Sequence, residues 1–145
     1  MPQIEWEAQL RDVAPRLTSD QASEFLALVD SVAGKVTGEV AKVLMATFSA
    51  KPDHGTQERV CSVLASAPSR VQVSAILGEM PRLIVEAPDW AESLLAELLE
   101  HHASDLKSVL ASATPQTRLA VRAIALRDDF VAFQPRAKSI HEYCR

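Results

Sequence analysis

Strand-forming runs are what this sequence most lacks. Aromatic residues amount to 5% of the chain, and glycine occurs four times. A sheet protein draws on β-branched and aromatic alternation broken by turn residues, so this composition disfavours a sandwich or a barrel. Cysteine is scarce too, with Cys61 and Cys144 alone. Two thiols with no secretory segment ahead of them read as free and intracellular. The first residues, MPQIEWEAQLRDV, start acidic and contain no apolar h-region. No apolar run reaches the about 18 residues of a membrane span. A cytoplasmic protein without a membrane partner is expected.

An excess of one charge is also missing. The formal net charge is -4 and the isoelectric point is near 5.5. Non-specific nucleic-acid binding calls for a basic excess, so no nucleic-acid partner is expected. Catalytic signatures are absent as well: the chain holds no G-x-S-x-G, H-E-x-x-H, C-x-x-C or G-x-G-x-x-G. Gly34-Lys35 is followed by Val36, and Val29 stands where a phosphate loop needs its first glycine. Gly34 reads instead as a helix stop. Adjacent His101 and His102 cannot share a helix face. Glu97, His101 and Asp105 line up only if the helix continues past Ser104, which reads as a new cap. Cys61 reads as a core residue, and Cys144 with His141 lacks the rigid surroundings of a dyad. No catalytic residue, metal or cofactor is expected.

What the chain has is helix. Trp6, Leu10, Val13 and Leu17 recur at helical spacing. Thr18 to Gln21 reads as a capping box before Phe25, Leu28, Val29 and Val32. A third helix is expected from Val36 to Ser49, with Val40, Val43, Leu44 and Phe48 inward. KPDHG, Lys51 to Gly55, is the clearest loop. Helices then follow over 56–67, after Pro68, after Pro88, after Ser104 and after Thr114-Pro115, with Pro81 expected to interrupt or kink one of them. Helix eight, rich in Leu, Val, Ile and Ala, is expected to be central and sandwiched. The chain reads as one domain over 1–145, with a loosely packed tail expected at 128–145 that holds a short helix near His141.

The hexamer SVLASA occurs twice, at Ser62–Ala67 and Ser108–Ala113. Each copy is followed by a proline (Pro68, Pro115), an arginine (Arg70, Arg118) and an apolar helix (Val71–Ile76, Leu119–Ile124). The order helix, proline turn, arginine, apolar helix at this spacing is that of a helical repeat. It resembles HEAT and armadillo repeats, most clearly over 59–77 and 105–126. The resemblance implies an all-α, single-domain, right-handed stack of about seven to nine helices with a concave binding face. A closed helical bundle is the alternative.

The small net charge hides a local acidic pole. Residues 79–105 carry Glu79, Glu86, Asp89, Glu92, Glu97, Glu100 and Asp105 against Arg82 alone. On a helix from Pro88 to His101, Ala91, Leu94, Leu95 and Leu98 form one stripe, and Asp89, Glu92, Glu97 and Glu100 fall opposite. Trp90 lies on the border, where an aromatic ring suits a partner contact. These eight residues, the seven carboxylates and Trp90, are the candidate partner-binding set, and they call for a basic partner. In size, helical class and acidic surface the chain is similar to small immunity proteins of bacterial toxin systems. That resemblance implies a non-enzymatic inhibitor that covers the active site of a basic cognate toxin domain, such as a nuclease. A scaffold or adaptor that binds a peptide in a groove is the second expectation. A nucleic-acid-acting repeat using Arg118, Arg122, Arg127, Arg136 and Lys138 is the third.

Overall fold

The computed structural model describes residues 3–13, 19–50 and 55–144. Thr18 of the expected capping box, the apolar position Leu17 and the loop positions 51–54 lie outside the described residues. Every regular element among the described residues is helical, and no strand occurs. In chain order they are α1 (Gln3–Val13), α2 (Ser19–Asp30), α3 (Gly38–Met45), α4 (Thr56–Leu64), α5 (Ser69–Glu86), α6 (Pro88–His101), α7 (Ala103–Ser112), α8 (Pro115–Ala125) and α9 (Asp128–Phe133). A 3₁₀ turn over Pro135–Ser139 and the short α10 (Ile140–Tyr143) complete the chain. The fold is all-α.

Two compact units divide the chain, 1–72 and 73–145, and the boundary falls inside α5. In the first, α1 packs on α2 and α3, while α4 packs on α2 and α3. Trp6, Leu10 and Val13 are buried, as are Phe25, Leu28, Val29, Leu44 and Phe48. The Trp6 indole N–H donates to the Leu28 carbonyl at 2.7 Å, so the largest side chain of α1 is buried with its polar atom satisfied. Gly34 ends the turn after α2 at φ +76°, a left-handed conformation that suits glycine. Its N–H donates to Ser66 Oγ at 2.9 Å. Thr37 caps α3 by accepting from the Val40 N–H. The Ser49 N–H is satisfied by the buried Gln57 Oε1 at 2.6 Å.

The second unit contains the rest of α5 and α6 to α10. Only Ala87 separates α5 from α6, and only His102 separates α6 from α7. Here α7 packs on α6 and α10, α8 on α9 and α10, and the 3₁₀ turn on α6. The last residues are anchored by buried Phe130, Ala137 and Ile140.

Three local expectations are corrected. α5 continues past Pro81, so the proline does not interrupt the helix. A proline there withholds an N–H from the preceding turn, but Leu77, Met80 and Leu83 are buried on both sides of it. Their burial holds the helix across the missing bond. Ser104 is not a cap: the capping position lies two residues earlier, at His102, and α7 starts at Ala103. And α8 is not sandwiched, since Leu119 and Leu126 are 69% and 57% exposed.

The two SVLASA copies take the same local place. Each forms the end of one helix (α4, α7) and the turn into the next (α5, α8). Burial repeats with them. Val60 and Leu106, Leu64 and Leu110, Val73 and Val121, Ile76 and Ile124 are buried pair by pair. The turns are closed differently. The Gln72 amide donates to the Ala67 and Ala65 carbonyls in the first. In the second, Thr114 Oγ1 accepts from the Thr117 N–H.

Candidate functional site

The candidate site lies in the second unit and starts from α6. Pro88 occupies its first turn, where a missing N–H costs nothing. Ala91, Leu94, Leu95 and Leu98 are buried as one stripe, and Ala96 and Leu99 widen it. Burying each leucine contributes about 1.5–3 kcal/mol relative to leaving it exposed. That stripe turns Asp89, Glu97 and Glu100 outward and leaves Trp90 and Glu92 half-buried.

Several of these carboxylates are engaged by arginines. Arg82 Nε meets Glu79 Oε2 at 2.6 Å, and Arg82 Nη1 lies 3.6 Å from Glu86. Glu92 pairs with Arg127. Glu100 accepts from Arg136 at 3.0 Å and from the Gln134 amide at 3.2 Å, while Arg136 also donates to the Glu100 carbonyl at 3.1 Å. Glu97 lies 3.7 Å from His101 on the next turn. Asp105 sits half-buried in the first turn of α7. The set is therefore not a single bare acidic face. Its members on α5 and α6 are partly neutralised, and Arg127 and Arg136 are bound up in that neutralisation.

Arg127 gathers the most charge. Its Nη2 donates to Asp129 Oδ2 at 3.0 Å. This hydrogen bond, with the nearby charges of Glu92, Asp129 and Asp89, raises the guanidinium pKa against the opposing effect of burial. The same bond holds the Asp129 carboxyl below the usual carboxylate range, aided by the Phe130 N–H. Three carboxylates thus act on one guanidinium, and the local balance is negative.

Two shallow grooves flank this cluster. The first, of about 230 Å³, is lined by Ile84, Pro88, Ala91, Ala123, Ile124 and Arg127. The second, of about 320 Å³, is lined by Glu92, Ser93, Asp129, Phe130 and Phe133. Arg127 borders the first, and its partners Glu92 and Asp129 border the second. Apolar side chains stand in solvent here. Phe133, in the wall of the second groove, is 77% exposed. Leu119, Ala123 and Leu126 recur at four- and three-residue spacing, which puts them on the α8 face that carries Ala123 to the first groove.

Sequence reasoning singled out the α6 carboxylates and missed this apolar surface. The signal was present in α8, where every position but the two arginines and three at its start is apolar. An all-round apolar helix reads as buried unless its surroundings are known.

Among the described residues no three His, Cys, Asp or Glu side chains converge to hold a metal ion. Burial pushes the Cys144 thiol pKa up, and the charges of Arg118 and Arg122 only partly oppose it. Such a thiol is a poor nucleophile. No helix of the described residues is long and apolar enough to cross a membrane. No protein-family model, curated protein or solved structure matches the chain.

Proposed function

We propose that this chain is a non-enzymatic protein-binding module and that its second unit carries the docking surface. The observation that carries the reading is the exposure of Leu119, Leu126 and Phe133 on helices that also supply a well-buried core. Exposed apolar side chains that gather into one patch mark an interaction site, and Phe133 stands in the wall of a groove while Leu119 and Leu126 share a helix face with Ala123 of the other. The three carboxylates around Arg127 favour a basic partner. Within that reading, the matched helix pairs α4–α5 and α7–α8 support a helical-repeat scaffold of the HEAT or armadillo kind. The acidic rim, the small size and the helical class support the narrower role of an immunity protein acting on a basic toxin domain in the cytoplasm. Glu97, Asp89 and Trp90 are then contacts at the margin of the surface, and the apolar residues supply its centre.

The test sets the tagged wild-type chain and a Leu119→Asp/Phe133→Asp variant side by side in native lysate. One basic protein held in equal amount by the wild type and released by the variant supports the proposal. An identical set retained by both overturns it.

A further inference from the structure

The two grooves and the cluster between them narrow the kind of partner. We infer that the surface takes a basic amphipathic helix laid across Arg127, an inference that rests on the protein-binding reading above. The helix places one apolar side chain against Ala91, Ala123 and Ile124, and a second against Phe130 and Phe133. A lysine or arginine between them meets the carboxylates that Arg127 leaves over.

Charge and shape argue for this occupant together. A purely apolar helix has no answer to the local negative balance, because Asp89, Glu92 and Asp129 all act on a single guanidinium. An acidic helix or an anionic lipid surface is repelled by the same three groups. An extended basic peptide meets the charge but carries no apolar face at helical spacing. An amphipathic helix presents apolar residues at three- and four-residue intervals with a polar position between, and thereby meets both grooves and the divider. Leu119 and Leu126 are exposed four residues before and three residues after Ala123, a spacing that lengthens the apolar track available to the docked helix.

Arg127 has a definite part in this. Its guanidinium pairs with Glu92 and Asp129 at the border of the grooves. The partner's basic residue then competes for carboxylates that are already oriented, which favours a single register of the bound helix.

The probe is a synthetic helix of about 18 residues built from leucine and lysine in amphipathic order, long enough to hold helical structure once docked. It is titrated into the full chain by calorimetry alongside two controls, a scrambled leucine–lysine peptide and an amphipathic leucine–glutamate peptide. The expected result is saturable one-to-one binding of the first peptide only. Binding should weaken at least tenfold in Phe133→Ser and in Ala123→Glu, two exposed positions, with the helical circular dichroism of both variants unchanged. Equal binding of the scrambled peptide, or full binding by both variants, overturns the inference. So does a complete lack of binding by the amphipathic basic peptide. If a lysate partner is still released by Leu119→Asp/Phe133→Asp in that last case, the protein-binding reading stands and only the helical occupant is wrong.

Discussion

Glu92 on α6 pairs with Arg127 at the head of α9, and the pair joins the border of an apolar groove to that of a groove walled by both carboxylates and phenylalanines. Arg127 also holds Asp129, so one guanidinium orders two carboxylates from different helices. The pairing turns an acidic sequence segment into a patterned surface.

The Asp129 carboxyl should titrate below the ordinary aspartate range in the folded chain. A depressed folded value means a favourable contribution present above the unfolded pKa and lost as pH falls through the folded one. The group is exposed, so salt should weaken the effect. Carboxyl chemical shifts followed against pH in wild type and Arg127→Met check this. The variant should return Asp129 upward to the usual range.

Leu95 and Leu126 should behave oppositely on truncation. Leu95 is fully buried on α6, and Leu95→Ala should cost about 2–5 kcal/mol. Leu126 is largely exposed, and Leu126→Ser should stay within about 0.5 kcal/mol. Urea unfolding of the two variants is the measurement. A large loss at Leu126 would show that it supports the fold rather than a partner.

Two glycines should respond with opposite signs. Gly34 has φ +76° with open space around it, so Gly34→Ala suffers backbone strain of about 1–2 kcal/mol. Gly78 lies inside α5, also with open space where a Cβ would go. Gly78→Ala should stabilise by about 0.5–1 kcal/mol through helix propensity and a less flexible unfolded chain. Thermal melts of both variants decide the point.

Cys144 should react slowly with iodoacetamide near neutral pH. Burial disfavours its thiolate and raises its pKa above the ordinary thiol value. A raised folded pKa means a contribution to stability that is present below the unfolded value and lost as pH rises through the folded one. Alkylation should reach the rate of an unfolded-chain thiol only at strongly alkaline pH, or on unfolding. A fast reaction at neutral pH would contradict the assignment.

Helix placement was largely legible in the sequence because it rests on local rules. Thr114-Pro115 opened α8, Pro88 opened α6 and Gly34 ended the turn after α2, each through backbone chemistry within a few residues. The leucine stripe of α6 was read correctly for the same reason. What local rules missed was set by distant neighbours. Arg136 reaches Glu100, and Arg127 reaches Glu92, across long stretches of chain. Sequence assigned those arginines and carboxylates to rival surfaces because nothing local joins them. α5 passes Pro81 because buried neighbours outweigh a missing hydrogen bond. The outward face of α8 was hidden by composition, since exposure depends on what packs beside a helix and not on the helix alone.

The central claim is that the apolar face around Arg127 binds a partner instead of standing idle in solvent. Its most direct test is the dissociation constant of the retained basic protein for wild type and for Leu119→Asp/Phe133→Asp, measured at equal melting temperature. The account predicts a loss of at least about tenfold, the scale of central apolar contacts in an interface. An unchanged constant would contradict it and place the binding surface elsewhere on the chain.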